Sequence, residues 1–488
     1  MSERPEPVRD LDWGPQRARQ LGEDVLELWT ELLARLPELP VSRGFKAEEL
    51  NEDLALGVPE EPLERGELLR HLRALALDGS VYVGHPAFVA YICGAGTVPG
   101  AVADLLAAAL NQNSGGFRLS PGASTIEAHL MGWLAGRLGL PDSAGGHVVA
   151  GGAMANLVAL KVARDRAREG VRERGLREGP PLAFYASTES HVVQQRAADV
   201  LGLGSEAVRL IAVDERWRMR PDALAEAMER DVAEGVIPAA VIATAGTTAT
   251  GAIDPLRQIA DVSERYGTHL HVDACYGGPA ALVDELQPLL DGIERADTIA
   301  VDAHKWLYTP VLGGCVLVRD ARHLATSFTT EASYIWLHED LRQGVDLAMH
   351  GPDFSRSFAA LKIWLSLLAH GRAAYERRIA HDVALAGYLG ELVDEHPDFE
   401  LMAPPSLSIC CFRYAPAELG GDEQALDRLN ERILTALMAD GRVYCSNAVL
   451  GGRFCLRACI VNFRTEAEHL ELLLDAAAEH GARLAEAA

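Results

Sequence analysis

One texture runs from residue 147 to residue 320 and restricts the fold more than anything else in the chain. Seven short apolar or β-branched runs recur there: HVVA (147–150), PLAFYA (181–186), VRLIAV (208–213), AAVIATA (239–245), THLHVDA (268–274), DTIAVDA (297–303) and CVLVRD (315–320). Helical patterns at 156–168, 221–234 and 255–266 lie between several of them. Runs that short, separated by amphipathic helices, predict an α/β fold with a mainly parallel seven-stranded sheet and helices on both faces. Ligands of such sheets bind beyond the carboxyl ends of the strands, so the chemistry is sought where each strand stops.

The flanks read differently. Apolar Leu21, Val25, Trp29, Leu32 and Leu36 recur at helical spacing over 16–36, ending at Pro37. This helical N-terminal arm has nothing of its own to pack on and requires a partner surface. Residues 98–110 are apolar nearly all round, which predicts a buried helix, and HPAFVAYICGAG (85–96) reads as a loop lining something. A long helix at 355–369 leads into a small α/β unit, in which SLSICCFRY and RFCLRACIVNF alternate like antiparallel strands and 422–439 and 465–484 are helical. Three units follow: a helical N-terminal segment at 1–97, a large domain at 98–371 and a small C-terminal α/β domain at 372–488.

Charge and length exclude several classes of partner. With 45 basic against 70 acidic side chains the net charge is −25, which disfavours nucleic acid and anionic lipid. No run is long and apolar enough to span a bilayer, and the mixed-charge start MSERPEPVRD lacks a signal-peptide core; a cytoplasmic protein with no membrane partner is expected. The eight scattered cysteines form neither a disulfide framework nor a zinc pattern, so reduced thiols and no metal are expected.

Four strand ends carry unusual residues. GGAMAN (151–156) follows the first strand and opens a helix, exposing backbone N–H groups suited to a phosphate. His191 stands at the start of another helix. Asp273 closes an apolar strand, and a buried carboxylate there demands a cation. Lys305, in His304-Lys305-Trp306, follows the sixth strand, where desolvation should lower its pKa and favour a Schiff base. Phosphate cradle, flat imidazole, buried carboxylate and buried lysine at one sheet edge form the set that pyridoxal phosphate needs. No GxGxxG follows any strand, which disfavours a dinucleotide.

The chain resembles the group II pyridoxal-phosphate-dependent amino acid decarboxylases, the family of aromatic amino acid, glutamate and histidine decarboxylases. The blocks that carry the resemblance are NQNSGGFRLSPGASTIE (111–127), GGAMANLVALKVAR (151–164), TAGTTATGAIDPL (244–256), HVDACYGG (271–278), DAHKWLYTP (302–310), FSRSFAALKIW (354–364) and LRACIVNFRT (456–465). It implies the fold type I architecture of pyridoxal-phosphate-dependent transferases and a homodimer with its sites at the subunit interface. It implies that Lys305 carries the cofactor, Asp273 pairs with the pyridine nitrogen and His191 stacks on the ring. Ala153 and Met154 would offer backbone donors to the phosphate, and Thr244, Cys275, Asp302 and His304 would complete the shell. The implied reaction is decarboxylation of a free L-amino acid to an amine.

Two departures from the family pattern bear on that reaction. Many members carry a tyrosine on a loop ahead of the FSRSF-like block that reprotonates the product carbon. Here Leu347 of LAMH (347–350) stands about there, with His350 nearby as a substitute acid and Tyr334 further upstream. Without that acid, oxidative formation of an aldehyde becomes the alternative outcome. In the substrate pocket the matching stretches supply Val83, Tyr91, Ile92, Gly94, Asn113 and Gly115, a smaller and partly polar lining that argues against dopa or tryptophan. Arg356 and Arg457 are candidate carboxylate anchors.

Overall fold

The computed structural model describes residues 8–53, 57–330 and 344–486. All seven expected strands form one sheet: β1 (Gly145–Val149), β2 (Leu182–Ser187), β3 (Val208–Ile211), β4 (Ile237–Thr244), β5 (His269–Asp273), β6 (Thr298–Asp302) and β7 (Gly314–Val318), in the order β1-β7-β6-β5-β4-β2-β3. The pairs β2/β3, β2/β4, β4/β5 and β5/β6 are parallel, and only β7 runs antiparallel to its neighbours. Every residue of β2, β5, β6 and β7 is buried, as in a sheet covered on both faces. Because β4, β5 and β6 run the same way, Thr244, Asp273 and the turn after Asp302 arrive at one edge, with Thr244 directly opposite Asp273.

The small domain is a four-stranded antiparallel sheet, β10-β11-β9-β8, from β8 (Phe399–Ser406), β9 (Ile409–Tyr414), β10 (Ser446–Leu450) and β11 (Arg453–Cys459). Helices Glu423–Asp440 and Ala467–Glu486 fall where their periodicity put them. Strands β8 and β10, and helices Pro121–Arg137 and Arg372–Glu395, have no counterpart in the sequence reading. Part of the N-terminal third belongs to the small domain's core: Val41 and Ala87–Ala90 pack with Phe412, Ile433 and Leu470. There Phe88 stacks on Tyr444 with ring centroids 5.5 Å apart.

Two expectations about helices need correction. Helix Val98–Leu110 has the expected bounds but buries only Gly100 and Ala103, leaving Val98, Val102, Leu105, Leu106 and Leu110 exposed on this chain. An apolar circumference shows that a helix seeks cover without showing that its own chain supplies it. The helix expected from 355 begins at Ala360. Residues before it are tied elsewhere: Arg356 N donates to Asn113 Oδ1 at 3.0 Å, and Ser114 N donates to Arg356 O at 2.8 Å, which is incompatible with an intrahelical ladder. The N-terminal helix Pro15–Arg35 buries none of its residues and is held by the Asp24–Arg65 and Glu31–Arg73 ion pairs. All eight cysteines are free thiols, seven of them buried. Among the described residues no helix is long and apolar enough to cross a membrane.

Candidate active site

A cavity of about 460 Å³ opens at the carboxyl edge of the sheet. Ala153, Met154, His191, Thr244, Asp273, Cys275, Asp302, His304 and Lys305 all line it, so the nine residues expected around the cofactor meet in one space. They come from five strand ends: β2, β4, β5 and β6 are joined by parallel pairing, and β1, antiparallel to the reversed β7, ends at the same edge.

The phosphate end is built by the turn after β1. Helix Gly152–Ala167 starts there, and Gly152 N is already taken by Asp302 Oδ2 at 2.9 Å. The next two amides, of Ala153 and Met154, belong to the first helical turn, which has no intrahelical acceptors for them. Glycine is required at 152, because a Cβ would lie 2.7 Å from Cys275 Sγ and 3.0 Å from Asp302 Oδ2. Thr244 lines the cavity, and its buried Oγ1 has no partner among the described residues. Unused donors and an orphaned hydroxyl fit a phosphorylated ring.

The other end holds the charges. Asp273 Oδ1 accepts from Cys275 N at 3.1 Å and Oδ2 from Gln194 Nε2 at 2.9 Å. Burial pushes the Cys275 thiol well up, so it packs as a small neutral group. His191 Nδ1 accepts from Val193 N at 3.1 Å. Burial and the Lys305 charge lower its pKa, leaving a neutral ring suited to stacking. His304 Nδ1 lies 2.5 Å from Asp302 Oδ1. Burial pushes the Asp302 carboxyl up, but His304 and Lys305 outweigh it and hold it below its ordinary value.

Lys305 corrects one expectation. Burial does act to lower its pKa, yet the charges around it, Asp302 and Asp273 among them, outweigh it and the ammonium stands above the ordinary lysine value. Desolvation was the effect read from the sequence; of the two carboxylates, Asp302 ends the lysine's own strand and Asp273 ends the neighbouring β5. The lysine turn is pinned from behind, since Trp306 Nε1 and Tyr308 Oη both donate to Asp382 Oδ2, at 2.9 and 2.6 Å, on helix Arg372–Glu395. Asp382 is in turn paired with Arg378 at 2.5 Å.

The expected substrate residues do not line this cavity. Gly94 abuts it from outside: its N donates to His304 O at 3.2 Å, and a Cβ there would sit 2.6 Å from Lys305 O. Tyr91 is half exposed with φ 54°, its carbonyl held by Arg457 Nη1 at 3.0 Å. Asn113 and Arg356 line an adjoining groove that meets the cavity at Ala150 and Leu312. Asn113 Oδ1 is occupied by Gly115 N and Arg356 N, and Gly115 packs against Phe354 O.

Arg356 has its own counter-ion. Its head, 7% exposed, pairs with Glu127, 1% exposed, and donates to Val148 O at 2.7 Å. Arg457 differs in having no carboxylate partner among the described residues: Nε and Nη1 donate to the carbonyls of Ala249 and Tyr91, and its buried Nη2, like Nη1 of Arg356, has no hydrogen-bond partner among them. Leu347 is buried in a short 3-10 turn, Leu347–Met349. His350 follows it, outside the cavity, and burial and Arg356 push its pKa down to about 4. Tyr334 lies outside the described residues.

Three residues that the motifs did not single out contact the site: Asn156, Gln194 and His271. The signal for the last was present, because His269, His271 and Asp273 alternate along β5 and so share one face.

Residues 48–415 match the family model described as the pyridoxal-dependent decarboxylase conserved domain. An aromatic-L-amino-acid decarboxylase from Bacillus atrophaeus is 34% identical over 462 residues, covering 94% of this chain and 95% of the relative. A phenylacetaldehyde synthase from Arabidopsis thaliana is 28% identical, covering 93% and 94%. Among solved structures, Oryza sativa TDC with PLP and tryptamine superposes with a TM-score of 0.92 at 28% identity, covering 97% of this chain and 99% of that one.

Proposed function

We propose that this chain, which belongs to the group II pyridoxal-phosphate-dependent decarboxylase family, releases carbon dioxide from a free L-amino acid and returns the amine. The observation that carries this reading is the convergence of Lys305, Asp273, His191 and the free helix amides on one cavity. Pyridoxal phosphate supplies the electron sink for the pair left when the carboxylate departs. Lys305 holds it through the ε-amino group, and Ala153 and Met154 bind its phosphate. Asp273, with a donor on each oxygen, stays oriented to keep a proton on the ring nitrogen. His191 presents a neutral ring to its face. Arg457 is the cation for the substrate carboxylate, because Arg356 is already neutralised by Glu127.

A homodimer completes the site. The exposed row Val98, Val102, Leu105, Leu106 and Leu110 is the surface that a second copy covers, and the unburied N-terminal helix is the arm that reaches it.

A second reading has its own support. Leu347 occupies the position expected of the reprotonating tyrosine, and an imidazole that stays neutral down to about pH 4 makes His350 a weak acid there. Phenylacetaldehyde synthases are among the relatives. In that outcome the amino acid, oxygen and water give aldehyde, carbon dioxide, ammonia and hydrogen peroxide. Incubation of holoenzyme with each of the twenty amino acids, measuring carbon dioxide, amine, ammonia, aldehyde and peroxide together, decides between them. Amine equal to carbon dioxide supports decarboxylation; ammonia and peroxide in step with carbon dioxide support the aldehyde. No carbon dioxide from any substrate, or full turnover by Lys305→Ala, would overturn both.

A further inference from the structure

Behind Asp273 runs a buried row of polar groups that the reaction above does not use. Asn156 Nδ2 lies 2.8 Å from Gly152 O, and a carbonyl can only accept, so the opposite atom of that amide is the oxygen. Asn156 Oδ1 then accepts from Gln194 Nε2 at 2.9 Å and from His271 Nε2 at 2.8 Å. With Nε2 donating, the neutral His271 ring accepts at Nδ1 from Thr298 Oγ1, 2.9 Å away. Thr298 Oγ1, its proton spent, accepts from His269 Nε2 at 2.9 Å. His269 Nδ1 accepts from Arg166 Nη1 at 2.9 Å, and a guanidinium can only donate.

Both ends of the row are therefore unambiguous, and with neutral rings they fix the proton order along it, leaving the Thr298 carbonyl, 3.2 Å from His271 Nδ1, without a proton from that ring. Every donor points the same way, from Arg166 at the half-exposed far side of the sheet toward Asn156. Gln194 then spends its two protons on Asn156 Oδ1 and Asp273 Oδ2. Asn156, His271, Gln194 and Thr298 are 1% exposed or less. Burial pushes His271 down to about 4 and His269 to about 3, which agrees with both rings being neutral.

We infer that this one-directional chain makes Gln194, Asn156 and His271 positioning residues for Asp273. It locks the carboxylate that faces the ring nitrogen and, through Asn156 and Gly152 O, ties it to the phosphate cradle. The inference rests on the pyridoxal-phosphate reading of the cavity. Oriented donors inside a dry core hold an acceptor more firmly than the same groups in water.

The test compares His271→Phe with His271→Gln in the holoenzyme, reading the absorption spectrum of the bound cofactor, its dissociation constant and the melting temperature. A glutamine can donate from the Nε2 position; a phenylalanine cannot. Loss of the chain should weaken cofactor binding about tenfold, the effect of about one buried hydrogen bond, and change the cofactor band in His271→Phe, with most of both recovered in His271→Gln. Equal spectra and affinities in wild type and both variants, or equal damage in both, would overturn it. Should the variants not fold, 15N spectra of wild-type imidazoles decide: the chain requires both His269 and His271 neutral and protonated at Nε2, and any other state refutes it. A wild type with no cofactor band would instead sink the cofactor assignment while leaving the imidazole result readable.

Discussion

Gly152 offers a sharp test of how the phosphate cradle is packed. In Gly152→Ala the new Cβ falls about 0.7 Å short of ordinary contact with Cys275 Sγ and about 0.4 Å short with Asp302 Oδ2. Overpacking of that size costs roughly 1–3 kcal/mol. The first helical turn must retreat, stretching the 2.9 Å bond from Gly152 N to Asp302. The amides of Ala153 and Met154 move with it, so pyridoxal phosphate should bind roughly 10- to 100-fold more weakly, about 1.4 kcal/mol per tenfold. Titration of apoenzyme with cofactor, followed by absorbance, measures this directly. Cys275→Ala in the same background removes the nearer obstacle, leaving only the contact to Asp302 Oδ2, and should recover a large part of the loss. Wild-type affinity in Gly152→Ala, or no recovery in the double variant, would refute the packing argument.

Further outcomes follow from other parts of the molecule. Arg356→Met strands the buried Glu127 carboxylate and should lower stability by about 3–5 kcal/mol, with the KM for amino acid unchanged in the folded fraction; a raised KM at unchanged stability would instead make Arg356 a substrate anchor. His350, held at about 4 in the folded chain against 6.5 when free, takes up its proton on unfolding. Its contribution is therefore complete above about pH 6.5 and lost as pH falls toward 4. His350→Gln should flatten the acid limb of stability by roughly 3 kcal/mol over that window, seen in denaturant titrations at several pH values. Leu105→Asp puts a charge on a residue 71% exposed in the single chain, so it should leave the fold intact and shift sedimentation from dimer to monomer; an unchanged dimer would place the interface elsewhere.

Elements that depend on local pattern were legible in the amino-acid order alone. Seven strands fell where the short apolar or β-branched runs stand, because such side chains pack well on a pleated, largely buried sheet. The cofactor shell was legible for a related reason: parallel strands end at one edge, so residues following strands separated by tens of positions are neighbours once the sheet is drawn. Lys305, Asp273, His191 and the Gly151–Gly152 turn were readable without any contact being known.

Which groups become partners depends on the folded arrangement. Periodicity marks which side of a helix is apolar but not what covers it, so helix Val98–Leu110 was expected inside its own chain and lies at its surface. A charged residue in a motif does not declare its counter-ion: Arg356 meets Glu127, 229 positions away, and Lys305 meets Asp273 from the neighbouring strand as well as Asp302 from its own, and the charges around it reverse the effect of burial. The row behind Asp273 was half visible as alternating histidines on β5. Its direction depended on Gly152 O and Arg166, which reach it from the helix before β2, because proton order in a buried chain is set at its two ends.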